Sequence, residues 1–154
     1  ILLGPAYHFE LTRPGIGLYG GLPFDAARAV ARLSIPIIQV REVATNQSVG
    51  YGDAWRAHRP ARIATLSAGY ADGLLRQLTN SALLFDGDTP CPLVGRVSMD
   101  LITVDISHLR AVPDALDILC EQQGIDHLAT LGGTIGYEIL TSLGPRYQRR
   151  YKGR

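Results

Sequence analysis

Four tyrosines stand directly beside glycines, at Tyr19-Gly20, Gly50-Tyr51-Gly52, Gly69-Tyr70 and Gly136-Tyr137. A phenol ionises near pH ~10, so it serves as a general acid or base only where positive charge or a hydrogen-bond network favours the phenolate. Glycine neighbours lack a Cβ and let backbone or ligand approach such a ring. Taken singly, each tyrosine reads first as a packing residue, and four together shift that balance modestly. Arg13-Pro14-Gly15-Ile16 joins a fixed cation to backbone amides at a glycine, a set of donors suited to a phosphate or an electron-rich ring nitrogen. Gly95-Arg96-Val97-Ser98-Met99-Asp100 offers a cation, a soft side chain and a carboxylate at the mouth of a strand, either lining a pocket or forming a hairpin with a surface ion pair. His8, His58, His108 and His127 share no spacing, and Cys91 and Cys120 are far apart, so no metal site is expected.

The elements that must hold these residues are mostly short strands. Glycine and proline crowd 1–22, which reads as loop and short strand. The β-branched stretch around Ile35-Pro36-Ile37-Ile38-Gln39-Val40 predicts a strand, with Pro36 near an edge or bulge. Asn46-Gln47-Ser48 marks a turn ahead of Tyr51, whose glycine flanks predict a presented ring. A strand follows over 62–67, a short helix over 72–78, and a hairpin with a longer loop over 83–94. At 101–106 strict alternation puts Ile102, Val104 and Ile106 on one face and Thr103 and Asp105 on the other. Helices are expected over 125–131, capped by Asp126, and 135–143, capped by Thr134. Ile135, Ile139, Leu140 and Leu143 should form the apolar stripe of the second. The result is a mainly β domain, with its boundary near 22–26.

Composition narrows the function. Among 154 residues, 46% are hydrophobic and 19% charged, the formal net charge is +1, and no apolar run spans a bilayer. A membrane protein and a nucleic-acid binder are both disfavoured; the basic tail at 146–154 reads as a solvated end. Neither targeting segment nor close cysteine pairing is visible, so the protein reads as cytoplasmic. The opening Ile1-Leu2-Leu3-Gly4, without an initiator Met, suggests that the chain starts inside a longer protein.

Five motifs in order along the chain resemble those of the alanine racemases. They are Arg13-Pro14-Gly15-Ile16-Gly17-Leu18-Tyr19-Gly20, Val49-Gly50-Tyr51-Gly52, Ala68-Gly69-Tyr70-Ala71-Asp72-Gly73, Gly95-Arg96-Val97-Ser98-Met99-Asp100 and Gly133-Thr134-Ile135-Gly136-Tyr137-Glu138-Ile139-Leu140. The resemblance implies a fold-type III enzyme of pyridoxal 5'-phosphate: an α/β barrel, of which 1–23 would be the last segment, followed by a Greek-key-like β-barrel domain over 24–154. It also implies a homodimer whose active sites are shared head to tail, interconverting L- and D-alanine for cell-wall peptidoglycan precursors. By position, Arg13 matches the arginine at the cofactor's pyridine nitrogen, and Gly15, Ile16 and Tyr137 match the groups on its phosphate. Tyr51 matches the catalytic tyrosine that acts in the partner subunit's site, and Met99 the contact to the substrate carboxylate. Tyr70, Arg76, Arg96, Asp100 and Ile135 match a narrow access corridor.

Racemisation needs a carbanion-stabilising cofactor and two bases on opposite faces of the α-carbon. Tyr51 would be one. The other, the family's Schiff-base lysine, belongs early in the barrel; the single lysine here, Lys152, matches nothing in that site. An arginine at the pyridine nitrogen keeps its proton, which would leave that nitrogen largely unprotonated and limit delocalisation into the ring. The chain alone is therefore expected to be inactive. Ser98 departs from family members with cysteine there and affects only local packing. Two alternatives stand: a racemase for another small amino acid such as serine, and an isolated β-barrel dimerisation or interaction domain. A related decarboxylase is less favoured, because no cysteine-aspartate motif accompanies the strand at 101–106.

Overall fold

Strands with hydrophobic side chains facing one way can bury them by curling their sheet around them, and six of the eight strands among the described residues do so, while the other two pair separately. The computed structural model describes residues 3–24 and 26–152. Residues 1, 2, 25, 153 and 154 lie outside it, and with them parts of the expected chain opening, domain boundary and tail. The strands are β1 (Leu33–Val43), β2 (Ser48–Val49), β3 (Trp55–Arg56), β4 (Ala61–Leu66), β5 (Leu83–Asp86), β6 (Thr89–Pro92), β7 (Ile102–Asp105) and β8 (Ala115–Leu119). Six form one antiparallel sheet in the order β6-β5-β8-β1-β4-β7. An antiparallel bridge between Leu93 and Val104, with Val94 N–H donating to the Thr103 carbonyl at 2.9 Å, brings the two ends of that sheet together. The result is a nearly closed barrel, as the family resemblance implies.

β1 carries most of the closure because it changes partners along its length. Its first residues, from Leu33 to Pro36, pair with β8, and the stretch from Ile37 to Val43 pairs with β4. Pro36 has no N–H to give, and it sits at this changeover, beside a register shift between Ile37 and Gln39. The strand is interior, so the bulge and not an edge accounts for the proline. Along β7 the alternation holds: Ile102, Val104 and Ile106 are buried in the barrel, while Thr103 and Asp105 are half-buried on the other side. Ile35, Leu66, Leu84, Leu93, Leu116 and Ile118 fill the same interior.

Several expectations need correction. β8 is absent from the sequence reading because a carboxylate interrupts its apolar run. Asp117 is buried there and tied to Arg32 Nε at 2.9 Å and to the Ser34 hydroxyl, and these partners make its burial tolerable. The helix expected over 72–78 is two separate 3₁₀ turns, Tyr70–Asp72 and Arg76–Leu78, split at Gly73. Segment 1–22 contributes no strand among its described residues; it forms 3₁₀ turns at Pro5–Tyr7 and Ile16–Tyr19. The β5–β6 hairpin turns through only Gly87 and Asp88, a shorter loop than expected.

Helices α1 (Ile125–Gly132) and α2 (Gly136–Ser142) lie where expected, but neither has a side-chain cap. Asp126 instead accepts a bond from the Leu22 amide at 2.9 Å, pinning the N-terminal segment to α1, and Thr134 bonds to Glu138. Ile139 is buried, whereas Ile135 is 64% exposed and lies off the apolar stripe. The basic tail is not wholly solvated: Arg149 donates to the Leu143 carbonyl at 2.9 Å and Arg146 forms two ion pairs. No helix among the described residues is long and apolar enough to cross a membrane.

Both cysteines are buried free thiols. Burial, with smaller contributions from the Asp86 and Asp105 carboxylates, pushes the Cys91 thiol up to about 11. Because its pKa is raised on folding, the thiol's contribution to stability is complete at neutral pH and falls away as the pH climbs from 9 towards 11. Iodoacetamide at pH 8 is expected to leave Cys91 unmodified in the folded protein and to label it fully once denaturant opens the barrel, as read by mass spectrometry.

Candidate functional site

The loop that presents Tyr51 begins where two glycines meet. Gly50 (φ +85°) and Gly95 (φ +80°) press their backbones together, so that a Cβ on Gly50 would stand 2.9 Å from the Gly95 Cα. No other residue type fits both the backbone angle and the space. From that contact the chain makes a 3₁₀ turn, Tyr51–Asp53, between β2 and β3, and the Tyr51 ring is 78% exposed. The sequence expectation of a presented tyrosine holds. The same contact lays the loop beside the residues after Gly95, and Arg96 Nη1 lies 3.5 Å from where a Gly52 Cβ would be.

A second close approach builds the opposite wall. Gly69 is in extended backbone, and a Cβ there would come within 2.3 Å of the carbonyl oxygens of Ser98 and Met99. Those carbonyls accept from the amides of Tyr70 and Ala71, each at 3.0 Å, so segments 69–71 and 98–99 lie bonded side by side. Tyr51, Tyr70, Arg76, Arg96, Met99 and Asp100 thereby line one cleft of about 470 Å³. The Arg76 guanidinium carbon stands 6.0 Å from the centre of the Tyr70 ring, within reach of a cation–π attraction. The cleft offers two exposed phenols, two guanidinium groups and a carboxylate, groups able to draw in and orient a small zwitterion.

The Asp100 carboxylate is not free. Arg146 Nη1 donates to it at 2.8 Å while Arg146 Nε donates to Asp72 at 2.6 Å. Its bonds to Asp100 and then Asp72 hold the Arg146 guanidinium above its ordinary range. Asp72 is buried, its other oxygen accepting from the Gly69 amide at 2.9 Å. In the sequence Asp72 is one residue of the segment from Ala68 to Gly73, and Arg146 belongs to the basic tail. The aspartate three residues after Gly69 was a local capping signal, but nothing local marks an arginine whose partners lie 46 and 74 residues away.

The remaining expected site residues form a separate group. The N-terminal segment folds back on the helices, with Ile16 packed against the core and Leu22 bonded to Asp126. This brings Gly15 against Tyr137: a Cβ on Gly15 would stand 3.0 Å from the tyrosine hydroxyl. Among the described residues neither the Gly15 nor the Ile16 amide donates a hydrogen bond. Two open amides and a phenol hydroxyl thus gather at one place, and Arg13 and Gly15 both line the adjoining cleft, of about 770 Å³. That cleft shares no lining residue with the cleft at Tyr51. Ile135, which immediately precedes α2, goes with Tyr137 and is absent from the Tyr51 cleft. Among the described residues no group of three or more His, Cys, Asp or Glu side chains is arranged to hold a metal ion.

Known proteins share this arrangement of sequence and fold. The family model for the C-terminal domain of alanine racemase matches residues 30–151. Alanine racemase of Dinoroseobacter shibae is 67% identical over 153 residues, covering 99% of this chain and 44% of the relative. The chain thus spans less than half the length of the curated relatives it matches. Among solved structures, alanine racemase from Bartonella henselae with covalently bound pyridoxal phosphate aligns with a TM-score of 0.88 at 37% identity, over 97% of this chain and 44% of that one. Biosynthetic alanine racemase from Pseudomonas aeruginosa aligns with a TM-score of 0.83 at 40% identity, over 92% of this chain and 42% of that one.

Forcing a methyl group between segments 69–71 and 98–99 should separate the walls of the cleft. Gly69→Ala is expected to cost about 3 kcal/mol or more, at the upper end of overpacking penalties, measured by denaturant unfolding of the full-length protein.

Proposed function

This chain belongs to the family of alanine racemase C-terminal domains, and on that premise we propose that it is the C-terminal part of a pyridoxal-phosphate-dependent isomerase that interconverts L- and D-alanine. We assign 1–23 to the end of the cofactor-binding α/β barrel and 24–154 to the β domain, in keeping with a first strand that starts at Leu33. The observation that carries the reading is the division of the expected site residues into two groups. One is a donor cluster at Gly15, Ile16 and Tyr137; the other is an exposed tyrosine in a cleft with Met99 and the two arginines.

The donor cluster fits the cofactor. A phosphate monoester needs several N–H or O–H donors converging on one point, and the absent Gly15 side chain leaves room beside the Tyr137 hydroxyl for its oxygens. Arg13 would face the ring nitrogen. Bound there, pyridoxal phosphate would supply the electron sink that makes the α-hydrogen of alanine removable. Acting as a phenolate, Tyr51 would take that proton from L-alanine to become the phenol, and as the phenol return one in the reverse direction. Met99 and its neighbours meet the substrate carboxylate. Tyr70, Arg76, Arg96 and Asp100 form one side of the corridor to the site, and Ile135 the other, where they admit a small side chain and hold out bulk water.

A base on one cleft and a cofactor cradle on another complete each other when two copies face head to tail, Tyr51 of one reaching the cradle of its partner. This arrangement supports a homodimer with shared sites. The reading places the enzyme in the cytoplasm, in keeping with two unpaired thiols, and its product D-alanine in the supply of peptidoglycan precursors. The base opposing Tyr51 is a lysine in the barrel preceding this chain, so the chain by itself has no racemase activity.

The test compares L- to D-alanine conversion, with pyridoxal phosphate added, by the full-length protein, its Tyr51→Phe variant and residues 1–154 alone. Conversion by the full-length protein only, with Tyr51→Phe lowered by about 10²-fold or more, is expected; a full-length protein without activity on alanine overturns the assignment. Faster turnover of serine than alanine would shift it to the serine alternative. For the shared site, Tyr51→Phe is co-expressed with Gly15→Val, whose side chain fills the cradle. One intact site per mixed dimer should restore about a quarter of wild-type activity, whereas self-contained subunits would restore none.

A further inference from the structure

We propose that Asn80 is a positioning residue for Tyr51, holding the far end of the loop that carries the proposed base. The inference rests on the reading of Tyr51 given above. Asn80 follows the 3₁₀ turn Arg76–Leu78 and has a left-handed backbone, φ +57°, which asparagine tolerates better than most residues. Its side-chain amide is used at both ends and in two directions. Nδ2 donates to the Ala54 carbonyl at 3.2 Å, at the residue that closes the Tyr51–Asp53 turn. Oδ1 accepts from the Gly95 amide at 2.6 Å. Next to it, Thr79 Oγ1 accepts from the Val97 amide at 3.2 Å.

These bonds complete a frame that the two glycines begin. Gly50 rests on Gly95 at the start of the Tyr51 loop, Asn80 grips the loop at Ala54, and the same asparagine holds Gly95. The Tyr51 loop and the segment carrying Arg96 and Met99 are therefore referenced to one side chain. The Tyr51 ring itself is almost bare, so its place over a substrate depends on the backbone at both ends of its turn. A base displaced by a fraction of an ångström loses rate without losing the fold.

Asn80→Asp separates the two bonds. It keeps an oxygen for the Gly95 amide and tolerates the backbone angle, but replaces the donor at Ala54 with a carboxylate that faces a carbonyl. Asn80→Ala removes both. In the full-length holoenzyme, Asn80→Asp is expected to lower kcat about 5- to 10-fold, the weight of one lost hydrogen bond, with thermal midpoint and cofactor content unchanged. As proton transfer at Tyr51 becomes slower, the kinetic isotope effect with α-deuterated L-alanine should rise and that with α-deuterated D-alanine should fall. Backbone amides at 50–55 should exchange faster with deuterium in the substrate-free protein, a readout independent of turnover. Wild-type kcat in Asn80→Asp, or a fall in kcat with both isotope effects unaltered, overturns the positioning role while Tyr51→Phe remains inactive. Full activity in Tyr51→Phe overturns the reading beneath it, and the positioning role with it.

Discussion

A buried carboxylate must find enough donors to replace water, and the cleft of this protein is arranged around one that does. Asp72 accepts from the Gly69 amide within its own turn and from Arg146 near the C-terminus, while its backbone carbonyl accepts from the Gly144 amide at 3.0 Å. Arg146 passes the connection on to Asp100, at the end of the loop that contains Met99. Segments 69–73, 98–100 and 144–146, distant in sequence, are thus held at one junction. The low accessibility of Asp72 makes each bond there matter more than the same bond on the surface.

From this junction the cleft is extended by close backbone contacts. Glycine at 69 lets the turn bearing Tyr70 bond directly to the loop bearing Met99, and glycines at 50 and 95 bring the Tyr51 loop against that same loop. Asn80 and Thr79 add side-chain bonds where a third glycine contact is missing. The barrel underneath supplies a rigid support, since β4 and β7 lead into these loops from a well-packed interior. Exposed side chains on short, tied loops above a closed sheet suit the general-base role proposed for Tyr51.

The donor cluster near the helices obeys a different constraint. It depends on the N-terminal segment, which has little secondary structure and is fixed by Ile16 in the core and by Leu22 on Asp126. On the proposed division between 23 and 24, the cluster would lie at the seam between two structural units. The Tyr51 cleft belongs wholly to the β domain. Two groups with different supports accord with the proposed arrangement, in which one unit would hold a cofactor and another would bring a base.

By itself the sequence determined what depends on neighbours along the chain. Alternation at Ile102, Val104 and Ile106 specified the inward face of β7, glycine flanks specified a presented Tyr51, and five ordered motifs specified the family. It misplaced what depends on distant partners. β8 looked unlike a strand until Arg32 and Ser34 bound Asp117, and Asp126 found a tertiary partner in the Leu22 amide instead of capping its helix. Arg146 read as a solvated charge because both its carboxylates come from other parts of the chain. Only the tertiary structure decided which site residues stand together: Met99 and Tyr70 join Tyr51, Gly15 meets Tyr137, and Ile135 is absent from the Tyr51 cleft. The physical reason is that burial and hydrogen bonding between segments depend on how the sheet closes, which local pattern does not encode.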